Sequence, residues 1–139
     1  MSKLSGLVAD NFAAFFVAHV AHLQAKGPNF VSDHAIFKEV YEGLYDWHDQ
    51  LAEQLMICGE QYMFKGIKDV AEDTIVVDIK GVFRDDLFRV VVDNLKTLEK
   101  CANECYHGKQ SEDDAGLETM LGDYAKDVSK LRWKLMKAM

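Results

Sequence analysis

Apolar residues along this chain recur at steps of three and four, the spacing of one helical face, rather than at every second position. The clearest run is Phe37, Val40, Tyr41, Leu44, His48, Leu51 and Leu55. It predicts a long helix opening near Ser32, which offers an N-cap oxygen, and ending near Cys58, ahead of Gly59. Before it, Leu7, Phe12, Phe15, Phe16, His19 and Leu23 mark a first helix from about Leu4 to Ala25. Lys26-Gly27-Pro28-Asn29 ends that helix, because glycine terminates helices readily and proline cannot continue one. From Gly59 to Phe83 the rhythm is lost: Ile67 to Glu72 reads as a short helix, and Thr74 to Val77 is β-branched and extended, with no second strand to pair with. Asp85 or Asp86 opens a third long helix carrying Leu87, Val90, Val91, Leu95, Leu98 and Cys101. After the turn His107-Gly108-Lys109-Gln110, Ser111 with Asp114 three residues on echoes a capping box. The last helix carries Leu117, Met120, Leu121, Tyr124, Val128, Leu131, Leu135 and Met136. Two short connections and one long crossover containing a short helix predict an all-α four-helix bundle.

Composition narrows the setting. A chain of 139 residues has room for one domain, 1–139, with a real core. Its 49% apolar and 28% charged residues exclude a disordered chain. A formal net charge of −7 favours cations as partners and counts against nucleic acid over the general surface. The apolar stretch Phe12–Val20 is broken by His19 and is too short to span a bilayer, so no membrane partner is expected and a cytoplasmic location is the default. Cys58, Cys101 and Cys105 form no even set and no CxxC motif, and read as reduced packing residues.

The residues that carry chemistry lie on one flank of the second helix. Asp49 and Glu53, four residues apart, place their carboxylates on neighbouring turns of one face. At about 100° per residue, that flank also collects His34, Lys38 and Glu42, beside the apolar stripe and too polar for a bundle core. His22 stands near the end of the first helix. Imidazole nitrogen with carboxylate oxygen suits ferrous iron, manganese or zinc. From spacing alone two readings stay open: a solvated acidic face with ordinary histidines, or a surface that meets another subunit.

The stretch from His22 to Phe30 (His-Leu-Gln-Ala-Lys-Gly-Pro-Asn-Phe), then Asp33-His34, then Asp49-Gln-Leu-Ala-Glu53, resembles the signature of the Dps family of mini-ferritins. That signature reads His-Trp-x3-Gly-x2-Phe, a second histidine twelve residues after the first, and Asp-x3-Glu at the end of the same helix. The gaps from His22 to His34, His34 to Asp49 and Asp49 to Glu53 all match. The likeness continues more weakly to Ser111-Glu-Asp-Asp114 and Trp133. The resemblance implies a ferritin-like bundle in a homododecameric cage, with iron bound between two-fold paired subunits: His22 and His34 from one, Asp49 and Glu53 from its neighbour. It implies ferrous iron oxidised there, typically by peroxide, and stored as ferric mineral. It also offers Asp113, Asp114, Glu118 or Asp123 as pore-lining acids, beside their plainer reading as first-turn acids complementing a helix dipole.

Three departures matter. The family places a carboxylate four residues after the second histidine, where this chain has Lys38, whose ammonium cannot ligate metal while protonated. Glu42 is the substitute on the same flank; alternatively Lys38 pairs with Glu42 one turn on. The tryptophan that follows the first histidine is Leu23, and nothing in the spacing puts Trp47 in that ring's place. No lysine-rich tail precedes the first helix, although Lys126, Lys130, Arg132, Lys134 and Lys137 make the last one basic. Three readings therefore compete: an iron-oxidising store, a cage that binds or shields DNA, and a cage whose metal site Lys38 has disabled. Net acidity and the missing tail disfavour DNA.

Overall fold

The structure is a computed structural model that describes residues 2–139. Its helices are α1 (Lys3–Gln24), α2 (Phe30–Ile57), α3 (Ile67–Asp73), α4 (Arg84–Tyr106) and α5 (Ala115–Ala138), with no strand among the described residues. The four long helices close a ring in which α1 packs on α2 and α4, α5 packs on α4 and α2, and α3 lies against α1. One apolar core runs through it, with Phe37, Leu44, Leu51 and Leu55 from α2 and Leu95, Leu98, Leu121, Val128 and Leu135 from α4 and α5 almost wholly buried. This is the ferritin-like bundle with one long crossover that the pattern and the resemblance predict.

Helix α1 differs from its predicted face. Phe16 is 55% exposed and Leu23 66%, while Leu4, Leu7, Val8, Ala9, Ala14, Val17, Ala18 and Ala21 face the core. Small residues let neighbouring helices approach closely, so the alanines mark the buried side and the phenylalanines fall on the adjacent flank. Helix α1, in which an 18-residue stretch has mean hydropathy 1.5, is by length and composition long and apolar enough to cross a membrane, unlike the shorter run Phe12–Val20. Its apolar character is used inside the bundle instead, where Asp10, Asn11 and His22 are also buried.

Two caps fall elsewhere than predicted. Helix α2 opens at Phe30 after Asn29, and the Ser32 hydroxyl donates to the Asn29 carbonyl from within the first turn. Helix α5 is capped by Asp114, whose carboxylate accepts from the Leu117 N–H at 3.0 Å. Ser111 is buried in the preceding turn, donating to the carbonyls of Tyr106 and Gly108. In both places a hydroxyl has a nearer backbone carbonyl to satisfy, and so the cap passes to another residue.

The extended segment after α3 has no strand partner, and side chains take the place of one. Asp10 on α1 accepts from the Thr74 hydroxyl (2.9 Å) and the Ile75 N–H (3.0 Å). Asn94 on α4 both accepts from the Val77 N–H (3.0 Å) and donates to its carbonyl (2.8 Å). A buried polar chain crosses the bundle as well: Asn11 donates to the Leu44 carbonyl at 2.8 Å and accepts from the Tyr124 hydroxyl at 2.8 Å. At one end, Arg84 grips buried Asp33 through Nε (2.7 Å) and Nη2 (3.1 Å), donates to the Ala138 carbonyl and lies 4.5 Å over the Phe88 ring.

No disulfide forms among the three cysteines. Burial, aided by Asp10, pushes the Cys101 thiol up to about 12. Burial likewise pushes Cys105 up to about 12. Both stay protonated and unreactive through neutral pH. Since an unfolded thiol ionises near 9, the two contribute stability that is intact below that value and is lost as pH rises from there towards 12. Urea unfolding should show each thiol costing about 1 kcal/mol by pH 10 relative to pH 8, with the loss relieved in C101A/C105A.

Candidate metal centre

The turn Ala25–Asn29 folds α2 back along α1, bringing His22 and His34 face to face. Their rings stack with centroids 3.6 Å apart at 21°. His22 Nδ1 lies 2.7 Å from the His34 carbonyl, and His34 Nδ1 lies 2.9 Å from the His22 carbonyl. A carbonyl can only accept, so each Nδ1 carries the proton and donates it. In the neutral ring this leaves both Nε2 lone pairs for a metal, with orientation and tautomer fixed by the backbone. Aromatic rings hold the pair in place: Tyr41 stands edge-on to His22 at 5.1 Å and Phe30 lies 4.8 Å from His34. Tyr41 also stacks on His19 at 4.4 Å.

Asp49 and Glu53 are exposed on α2. They lie fifteen and nineteen residues beyond His34 in the same helix, or about 22–28 Å along its axis at 1.5 Å per residue. The histidines and the carboxylates therefore do not meet within one chain. Among the described residues no three His, Cys, Asp or Glu side chains group closely enough to hold a metal. Lys38 pairs with Glu42 at 3.6 Å, both more than half exposed, which is the alternative the helix spacing offers.

Trp47 is not near the histidine pair. It is buried against α5, where its Nε1 donates to Asp127 at 3.0 Å and its ring meets Tyr124 edge-on. The aromatic neighbours of the pair are Tyr41 and Phe30 instead. Tyr41 reads in the sequence as part of the apolar stripe, seven residues after His34, and that spacing alone does not distinguish a core ring from a flanking one. His48 sits farther along α2 beside Phe12 and Tyr62, with Nε2 3.3 Å from the Tyr62 hydroxyl and Nδ1 buried without a partner. Burial lowers its pKa, opposed by the neighbouring Asp49. On α5 the basic residues are partly neutralised, Arg132 by Glu99 and Lys134 by Glu39.

No protein-family model matches the chain. In sequence it is 28% identical over 133 residues to the DNA protection during starvation protein of Helicobacter pylori, covering 95% of this chain and 92% of that one. In fold it is similar to the Dps protein of Vibrio cholerae, a ferritin-like diiron-carboxylate protein, with TM-score 0.88, 20% identity and coverage of 97% and 85%. It is similar also to Dps from Microbacterium arborescens in its high-iron form, with TM-score 0.87, 20% identity and coverage of 98% and 89%. Along nearly its whole length the chain is thus similar in sequence to a DNA protection during starvation protein, and it shares the ferritin-like bundle of the solved Dps structures.

Proposed function

We propose that the protein is an iron-storing mini-ferritin whose oxidation sites are divided between subunits. The observation that carries this reading is the histidine pair: both Nδ1 atoms are committed to carbonyls, so both Nε2 lone pairs are left for a metal, while the matching carboxylates lie too far along the same helix to reach them. Two copies related by a two-fold axis bring the His22/His34 end of one α2 to the Asp49/Glu53 end of the other. Two neutral nitrogens and two anionic oxygens make a donor set that ferrous iron accepts and that neutralises its charge.

Ferrous iron is the substrate. Its oxidation by peroxide balances as two ferrous ions, one hydrogen peroxide and two waters giving two ferric oxyhydroxide units and four protons. The histidines bind and orient, the carboxylates take up positive charge, and a closed shell of twelve subunits retains the mineral. The net charge of −7 favours cation entry, and acids at the start of α5 such as Glu118 and Asp123 are candidates for its path. Removing iron and peroxide protects DNA without touching it, so the acidity of the chain is no obstacle to a protective role. Under anaerobic conditions, ferrous iron with peroxide should be oxidised faster by the protein than by H22A or D49A. Equal rates in all three would sink the proposal.

A further inference from the structure

We infer that a pocket at the opposite end of the bundle from His22 and His34, where α1 begins and α4 ends, is a binding site for a short polyphosphate chain. The pocket holds about 790 Å³ and is lined by Lys3 from α1, by Lys96, Lys100, Asn103 and His107 from α4, and by Arg132 from α5. The four α4 positions, spaced four, three and four apart, share one face over about 16 Å of helix. Lys3 is about 28 Å along α1 from His22, so the site is separate from the proposed metal centre.

The charges in the pocket do not cancel. Glu99, the carboxylate in its midst, is held by Arg132 through Nε (2.5 Å) and Nη2 (3.2 Å) and accepts from the Ser129 hydroxyl. It is therefore engaged by α5, and among the described residues Lys3, Lys96 and Lys100 have no ion-pair partner. Against these three charges stands only Glu104, which leaves an excess of two on a chain whose net charge is −7. Helix dipoles do not account for the excess. Lys96 lies ten residues before the end of α4, beyond the reach of its last turn, and Lys3 stands in the first turn of α1, where a cation is disfavoured. The Lys3 ammonium is instead turned towards α4, close enough to favour ionisation of the Cys105 thiol against its burial. Ammoniums grip phosphate oxygens as point charges, without the planar fork of a guanidinium. Several of them in a row fit linked phosphates better than one orthophosphate. Among the described residues no Trp, Tyr or Phe lines the pocket, so nothing there selects a base, and the ligand is recognised by its phosphates alone.

Calorimetric titration of the metal-free protein with inorganic triphosphate, at low salt and without divalent cations, tests this. One triphosphate should bind per chain, more tightly than orthophosphate and no less tightly than ATP. K96A/K100A should weaken binding by about tenfold, at up to about fivefold for each exposed charge pair. Both side chains are exposed and alanine favours a helix, so the fold should hold. E104Q should strengthen binding, and K126A/K130A, which removes the same charge from the exposed face of α5, should leave it unchanged. No binding of triphosphate, an unchanged affinity in K96A/K100A, or an equal loss in K126A/K130A would overturn the site. ATP bound without triphosphate, or orthophosphate bound as tightly as triphosphate, would overturn its assignment to a phosphate chain. H22A should bind triphosphate as the native protein does, which keeps the outcome independent of the metal centre.

Discussion

Neither H22A nor D49A alone should bind ferrous iron at the shared site, yet shells co-assembled from equal amounts of the two should recover about one quarter of the native sites by random two-fold pairing. The recovery follows from the division of the site. In a mixed pair, one of the two sites combines both defects, and the other takes intact histidines from the D49A chain and intact carboxylates from the H22A chain. A site contained in one chain would recover nothing on mixing. Each single variant should lose at least about 10–100-fold in metal affinity, the scale seen even when only the partners of a ligand are removed. Refolding the two chains together and titrating cobalt measures the fraction directly. Refolding each alone supplies the zero.

The largest expected loss of stability is at Asn11. In N11A the Tyr124 hydroxyl loses its partner in the middle of the bundle, where Asn11 and Tyr124 are wholly buried, while the Leu44 carbonyl, inside α2, loses a second donor but keeps its helical one. A stranded buried polar group costs about 1–3 kcal/mol, a large part of the margin of a small domain. Y124F should cost less, because it removes a donor and strands only one acceptor. The double variant N11A/Y124F should then lie well short of the sum of the two, since the hydroxyl stranded by the first change is deleted by the second. Denaturant midpoints of the four proteins give the coupling. Additive losses would mean that the three groups do not act as one network.

The long helices and the crossover were legible because burial imposes a period that survives in one sequence. That rule also has a limit, which α1 exposes. Its pattern of large apolar residues marks the edge of the buried face rather than its centre: Leu7 is buried and Phe12 and Phe15 pack partly against the core, but Phe16 and Leu23 are exposed, and alanines that periodicity underweights share the core side with Leu4, Val8 and Val17. The caps at Ser32 and Ser111 were misread for a related reason: a hydroxyl satisfies whichever backbone group the turn brings closest, and the turn is a product of tertiary structure. At the candidate site, spacing identified Asp49 and Glu53 as neighbours on one face and Lys38 as a partner for Glu42. It could not pair His22 with His34, which depends on how tightly the Gly27-Pro28 turn folds back. It also gave no sign of Arg84, Asp33 and the end of α5 coming together, because those contacts span more than fifty residues.

Among the described residues no three metal-binding side chains of one chain group together, and this has a thermodynamic consequence for the proposed shell. On the proposed division, metal binds the paired subunits and scarcely binds the separated ones. Anything that binds the assembled state alone shifts the assembly equilibrium towards it, by about 2.7 kcal/mol per site when free metal is a hundredfold above its dissociation constant. Iron supply and shell integrity are then linked functions: the metal-free shell should come apart on dilution at concentrations where the loaded one stays closed.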